Sequence, residues 1–402
     1  MSALSIGDEL ELTCGAPGHG GFVIARHEGC AVFVRGALPG ETVRARVTEV
    51  KKSYARASTV EVLVASPYRV PEACAAAAAG AGCCDLTFAD PSYQRELKAG
   101  VLHDLLVRFG GFDPDAFEPA VEPMPGAPVA GWRHRARLVA DGAGALGQHA
   151  HRSDAVVVAP CAQLPDVLTD LAAGLRAEPG TEVALVLDDA GAAHAAVPAR
   201  RGRAAQILAG DALAEYRVGG RSWRIPVGGF WQAHRDAAPR YAQRVAAYTG
   251  RYGGEPGRAW DLYGGAGVLA GALVDEGFAV DVVETSGGAI AAGKQSFADE
   301  PVAFHRGDVA SRLKGLPAPS VVVLDPPRAG AGAAVMAAIA AAGPRAIVHV
   351  GCDPAAFARD LGVACENGYR VAELDACDAF PGTHHLEAFA VLVPGREDRR
   401  GR

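Results

Sequence analysis

A chain of 402 residues, half of them hydrophobic and with a formal net charge of −7, has room for two or three domains and enough apolar side chains to bury its own cores. Nine cysteines, odd in number and unevenly spread, argue against a disulfide framework and for a reducing, cytoplasmic setting. No run of about 20 consecutive bulky apolar residues occurs, and Met1-Ser2-Ala3-Leu4-Ser5 lacks the basic region and apolar core of a secretory signal, so neither a membrane span nor export is expected.

The negative balance argues mildly against nucleic acid, but basic residues cluster locally. Arg44, Arg46, Lys51, Lys52 and Arg56 form one group, Arg133, Arg135 and Arg137 a second, and Arg200, Arg201 and Arg203 a third. Each fits a solvated face as well as a phosphate-binding edge.

Residues 1–65 alternate apolar and polar side chains over short spans broken by glycine. Strands are expected at Glu9–Thr13, Gly21–Ala25, Ala31–Arg35, Thr42–Val47 and Thr59–Val64. Five strands in so short a span suggest an OB-like barrel, a fold that commonly carries RNA on one face. Residues 66–225 read as a mixed α+β segment with a strand over Arg133–Val139 and a basic edge. Cys74, the pair Cys83 and Cys84, and the remote Cys161 are an irregular set of possible iron–sulfur or zinc ligands.

From residue 226 to 402 strands alternate with helices, the pattern of a doubly wound parallel sheet. Arg235–Tyr248 reads as a helix, and Ala259–Tyr263 as a strand that turns through Gly264-Gly265-Ala266-Gly267 into the next helix. Glycines at such a turn let backbone N–H groups approach a ligand closely. Glu284, at the end of the strand beginning at Ala279 and about twenty residues on, is placed to accept hydrogen bonds from a ribose. The turn alone fits NAD, FAD or S-adenosylmethionine equally.

The next strand, Ser320–Leu324, delivers Asp325-Pro326-Pro327-Arg328 at its carboxyl end, where open α/β sheets bind ligands. The strand Ala346–Val350 delivers Cys352, followed by Asp353 as a helix N-cap and Pro354 at the first helical position. A thiol facing a helix N-terminus is expected to have a lowered pKa and nucleophilic character. Finally, Phe380-Pro381-Gly382-Thr383-His384-His385-Leu386-Glu387 precedes a last strand, Ala388–Leu392.

Asp-Pro-Pro-Arg, then Gly-Cys-Asp-Pro-Ala, then Phe-Pro-Gly-Thr-x-His-x-Glu, in this order, closely resemble the RNA uracil-C5 methyltransferase family, which uses S-adenosylmethionine to make 5-methyluridine. The resemblance covers nearly the whole chain, and the N-terminal strands resemble a TRAM domain. It implies a Rossmann-like methyltransferase domain over 226–402, a TRAM barrel over 1–65 and a central RNA-binding domain over 66–225. It implies Cys352 as nucleophile and Glu387 as base, acting through a covalent adduct at uracil C6. Cofactor contacts are implied at Gln232, Tyr263, Glu284 and Asp325, with the glycine turn (Gly265, Gly267), and Asp308 reaching the adenine.

The implied partner is RNA, ribosomal rather than transfer RNA because of the barrel, and the protein is expected to be a monomer. Two positions depart from the family. Val268 stands where an Asn commonly follows the glycine turn. Ala81 stands where the second ligand of a four-iron cluster belongs, which leaves Cys74, Cys84 and Cys161 with Cys83 as a substitute fourth ligand. The rival readings are a methyltransferase acting on another base, for which neither Cys352 nor Glu387 is needed, a non-catalytic RNA-binding protein, and an NAD-linked oxidoreductase, which lacks hydride-transfer partners here.

Overall fold

The computed structural model describes residues 4–200 and 203–395; Arg201 of the third basic cluster and the terminal Met1–Ala3 lie outside them. At the N-terminus six strands pair in the order Glu9–Thr13, Thr42–Val50, Tyr54–Val64, Cys30–Arg35, Phe22–His27 and Pro17–Gly18. All five expected strands are present, and the sixth is only two residues long. Leu10, Leu12, Val23, Ala25, Val32, Val34, Val43 and Ala45 point inward at every second position and form one core.

The second sheet is antiparallel throughout and runs Val156–Val157, Leu146–His149, Arg135–Ala140, Glu182–Leu187, Ala193–Val197, Gln206–Ala209. The hairpin Leu213–Val218 with Arg221–Pro226 follows it. Tyr216, Trp223 and Ile225 of that hairpin do not pack on the second sheet alone; they belong to the core of the C-terminal part.

The C-terminal sheet has eight strands in the order Val302–Arg306, Ala279–Glu284, Arg258–Leu262, Val321–Leu324, Ala346–Gly351, Glu387–Pro394, Tyr369–Asp378, Val121–Pro123. The first five are parallel, and Glu387–Pro394 is antiparallel to both its neighbours. Val321 and Val323 face one core while Val322 and Leu324 face the other, so the strand is buried on both sides and reads as an unbroken apolar run. Strand order reverses between Arg258–Leu262 and Val321–Leu324, and a crevice opens beyond the carboxyl ends of these two strands.

One part of the expected division differs. Residues 91–123, read from sequence as central, contribute the helix Pro91–Gly110 and the edge strand Val121–Pro123 to the C-terminal unit. The reason is burial: Leu102, Leu105 and Leu106 pack in the same core as Phe357 and Leu361. Lys98, fully enclosed on that helix, donates to Asp378 at 2.5 Å and to the Phe380 carbonyl at 3.1 Å. Breaking such a buried pair leaves an uncompensated charge, so the helix is fixed to the loop that leads to Glu387. Among the described residues no helix is long and apolar enough to cross a membrane.

Candidate active site

Tyr263 follows the strand Arg258–Leu262 with φ of +60°, a conformation that costs a non-glycine residue energy and is held by its surroundings. The turn after it is tightly built. A Cβ on Gly264 would lie 2.6 Å from Asp261 Oδ2, and one on Gly267 2.9 Å from the Phe297 ring. Gly265 is the exception: a Cβ there would meet nothing within 4 Å, so the turn presents bare backbone to open space at this point. The Gly265 N–H donates to Glu284 Oε2 at 3.0 Å, and Thr285 and Ser286 N–H groups donate to Glu284 Oε1. Glu284 thus props up the turn from the neighbouring strand end.

Gln232, Tyr263, Gly265, Val268 and Asp325 line one cleft at the reversal point, with Phe230 on its rim, 72% exposed. Gln232 Nε2 donates to Asp325 Oδ2 at 3.3 Å. Burial pushes the Asp325 carboxyl up to about 7, against the lowering effect of Gln232. Asp308 stands one strand end further out as N-cap of the short helix Val309–Arg312, where Ser311 N–H donates to it at 3.3 Å. Gly267 is the left-handed N-cap of the helix Val268–Asp275 and sits behind the cleft, against Phe297.

Cys352 and Glu387 come from adjacent antiparallel strands. Gly351 pairs with Ala388, Cys352 follows the one and Glu387 precedes the other, and the Glu387 charge acts on the Cys352 thiol. Glu387 is 2% exposed. The Tyr241 hydroxyl donates to its Oε2 at 2.9 Å, while Oε1 has no hydrogen-bond partner among the described residues. Tyr241 also lines the Gln232–Asp325 cleft, so the pair Cys352–Glu387 and the cleft are contiguous. Burial, with the charge of Asp325, pushes the Glu387 carboxyl well above the usual range.

The loop ahead of Glu387 is clamped from elsewhere in the chain. Gly382 N–H donates to Gln94 Oε1 at 2.8 Å, and Asp85 Oδ2 lies 2.6 Å from His384 Nδ1. His19, on a glycine-rich loop of the N-terminal sheet, has Nε2 3.1 Å from Asp353 Oδ2. None of Tyr241, Gln94, Asp85 or His19 was singled out from sequence. Tyr241 looks like any aromatic on the apolar face of a helix, and only His19, between Gly18 and Gly20, sits in a loop whose composition signals a close approach.

The helix after Cys352 begins as expected: Asp353 caps it, accepting from Ala356 N–H at 2.8 Å, with Pro354 at the first position. The thiol does not behave as expected. Burial first, then the charges of Glu387 and Asp325, push Cys352 up to about 12, with Arg328 opposing and Asp353 adding to the rise.

Comparison with known proteins now bears on this site. A TRAM domain model matches residues 4–60, and a tRNA (Uracil-5-)-methyltransferase model matches residues 303–394. An RNA methyltransferase of Corynebacterium glutamicum, described as uncharacterized, is 41% identical over 97% of this chain and 98% of its own length. The 23S rRNA (uracil(1939)-C(5))-methyltransferase RlmD of Shewanella sp. (strain MR-7) is 31% identical over 93% of each chain. The chain belongs to the S-adenosylmethionine-dependent RNA uracil-C5 methyltransferase family.

In fold it matches the crystal structure of Pyrococcus abyssi tRNA (uracil-54, C5)-methyltransferase in complex with S-adenosyl-L-homocysteine, with a TM-score of 0.74, 21% identity, and coverage of 96% of this chain and 100% of that one. The relatives uphold the uracil-C5 methyltransferase resemblance, and this match upholds the α/β fold with its strand-rich N-terminal part.

The possible iron–sulfur cluster is not supported. Cys74, Cys83, Cys84 and Cys161 do come together, in one buried core with Ala81. Their sulfurs are spent on each other and on the protein. Cys83 Sγ lies 3.9 Å from Cys84 Sγ, Ala162 N–H donates to Cys74 at 3.4 Å, and Gln163 Nε2 to Cys84 at 3.2 Å. Ala81 offers a methyl where a ligand belongs. Among the described residues no group of three or more His, Cys, Asp or Glu is arranged to hold a metal ion. The four thiols pack in the core of the second sheet.

Proposed function

We propose that this methyltransferase acts on a uridine of ribosomal RNA through a covalent bond between Cys352 and uracil C6. The cleft suits S-adenosylmethionine: Gly265 leaves its backbone side free, and Glu284, Asp308 and Asp325 at successive strand ends can accept from ribose hydroxyls, adenine and amine, with Gln232 and Tyr263 closing the sides. When bound it supplies the methyl group. Uracil C5 is too weak a nucleophile to take that methyl unaided. The Cys352 thiolate adds to C6, and the electron pair of the C5–C6 double bond moves into an enolate with density at C5. After C5 has taken the methyl, Glu387 removes the C5 proton, the C5–C6 double bond reforms, and the Cys352 thiolate leaves.

The observation that carries this reading is the state of Glu387: buried, held through one oxygen by Tyr241, its other oxygen unpartnered among the described residues, and next to the Gly351–Ala388 pair that Cys352 follows. Asp325, rigidly followed by Pro326-Pro327, holds cofactor and base edge in register, where positioning supplies much of the rate. The uridine must leave its stack to be reached by Cys352 and by the methyl donor, so a flipped or unpaired base is the substrate.

The choice of ribosomal RNA rests on the relatives named as 23S rRNA methyltransferases, which align over 93% of the chain including the TRAM segment. Nucleoside mass spectrometry on separated ribosomal and transfer RNA from a strain lacking this gene tests it. Loss of 5-methyluridine from the ribosomal fraction is expected; loss from the transfer RNA fraction alone would overturn the choice. In the purified protein, Glu387→Gln should trap a Cys352–RNA adduct that survives denaturing electrophoresis, and absence of the adduct with turnover retained would overturn the covalent scheme.

A further inference from the structure

Arg328, in the loop that follows Asp325, is exposed, and its one side-chain hydrogen-bond partner among the described residues is His385 Nε2 at 3.4 Å. Its guanidinium is nevertheless the cation that opposes burial and the nearby carboxylates at the Cys352 thiol. A long exposed side chain with a single weak contact keeps most of its rotamer freedom, so its reach is set by the backbone that carries it.

That backbone is built onto the helix that follows Cys352. Gly330 N–H donates to the Pro327 carbonyl at 2.8 Å and closes a turn around Arg328. Directly after the turn, Ala331 N–H donates to Asp360 Oδ2 at 2.7 Å and Gly332 N–H to Asp360 Oδ1 at 3.0 Å. Asp360 is 3% exposed and lies on the helix Pro354–Glu366. His349, fully enclosed on the strand that delivers Cys352, has Nε2 3.0 Å from the same Oδ2. Gly330 has φ of +83°, and a Cβ there would lie 2.8 Å from Asp360 Oδ2 and 3.2 Å from the Ala356 Cβ, so the turn sits hard against the helix. Burial alone would raise the Asp360 carboxyl, but His349 and the two N–H groups outweigh it and hold it below its usual range. One carboxylate thus joins the strand before Cys352, the helix after it and the turn that carries Arg328.

We infer that Asp360 is a positioning residue for the reaction: it fixes the turn over 327–330 so that the Arg328 guanidinium stays beside Cys352 while the sulfur carries negative charge. An exposed cation supports an anion only while it is held close, because distance and solvent screening both erode the attraction. Asp360 does not line the cofactor cleft, and it acts through Arg328. The inference rests on Cys352 being the nucleophile and adds what readies it.

The test is the rate of Cys352 alkylation by iodoacetamide at pH 8 in the full-length protein, read by peptide mass spectrometry with Cys365, on the same helix, as internal reference. Asp360→Asn should slow alkylation of Cys352 relative to Cys365 about threefold or more. Gly330→Ala leaves every charge in place but strains the turn and crowds Asp360, and it should slow the reaction likewise. Arg328→Gln should slow it to the same extent, and adding Asp360→Asn to Arg328→Gln should slow it no further. A merely structural aspartate gives the opposite sign, since a loosened helix exposes both thiols and speeds their alkylation together. Faster or unchanged alkylation of Cys352 in Asp360→Asn or Gly330→Ala, or additive losses in the double variant, would overturn the inference. Methyl transfer to ribosomal RNA is measured on the parent alongside; its absence would overturn the methylation scheme, while the alkylation rates would still decide whether Asp360 acts through Arg328.

Discussion

The Tyr241 hydroxyl holds one oxygen of Glu387 at 2.9 Å and leaves the other without a partner among the described residues. The hydrogen bond is the one influence that lowers the Glu387 pKa against burial and the charge of Asp325. Tyr241→Phe should therefore raise that pKa further. A hydrogen bond to a charged group contributes about 1.5–3 kcal/mol, so turnover near neutral pH should fall roughly tenfold or more. In the proposed scheme the ionised carboxylate accepts the C5 proton, so the deficit should shrink as pH rises. A loss independent of pH, measured as kcat from pH 6 to 9, would contradict this role.

Cys352 should be a poor nucleophile in the free protein. Its thiol is pushed up to about 12 by burial, Glu387 and Asp325, so alkylation by iodoacetamide should be slow at neutral pH. The rate should climb roughly tenfold per pH unit between pH 7 and 10. Asp325→Asn removes one of the two carboxylates and should speed alkylation at pH 8 while abolishing methyl transfer. Bound S-adenosylmethionine brings a sulfonium charge to these carboxylates, and alkylation should accelerate in its presence. Peptide mass spectrometry of Cys352 reads all three results; a rate already maximal at pH 7 would contradict them.

Val268 lines the cleft directly after the glycine turn, at the start of the helix Val268–Asp275. Val268→Asn introduces a polar group at the position where the family commonly has one. It should strengthen S-adenosylmethionine binding by about 1 kcal/mol, roughly fivefold, in isothermal titration calorimetry. Unchanged or weaker affinity would show that this cleft has replaced the missing contact by another route.

The N-terminal sheet depends on Glu41, fully enclosed and held by Arg69 at 2.6 and 2.7 Å and by the N–H groups of Leu38 and Ser66. Burial alone would raise its pKa, but Arg69 and the two N–H groups outweigh it and keep the carboxyl below its usual range. A depressed folded-state pKa stabilises above the unfolded value, about 4.3 for glutamate, and that contribution is lost as pH falls through the folded value. Glu41→Gln should cost about 3 kcal/mol at pH 7. The gap in Tm between parent and variant should close as pH falls from 6 towards 3; a gap that widens in acid would contradict the sign.

What could be read from sequence follows from how local each feature is. The N-terminal strands were legible because Leu10, Leu12, Val32 and Val34 alternate with polar neighbours, and the helix after Cys352 because Asp353 and Pro354 mark its start. The positions of Cys352, Asp325 and Glu387 at strand ends were legible from their motifs. Features set by distant segments were not. The edge strand Val121–Pro123 is three residues long and pairs with a partner more than 250 residues away, so no periodicity announces it. The Cys352 thiol has a helix start as its neighbourhood on the chain, whereas burial first, then Glu387 and Asp325 on other strands, push it up. The cysteine spacing invited a metal site, and only the packing of Cys83 against Cys84 around Gln163 reveals thiols in direct contact.

The most direct measurement is nucleoside mass spectrometry of ribosomal RNA, taken from a strain lacking this gene, after incubation with the purified protein and S-adenosylmethionine carrying a deuterated methyl group. Deuterated 5-methyluridine should form with the parent protein and be absent with Cys352→Ala. Its formation by the Cys352→Ala variant, or label found only on another base, would contradict the account.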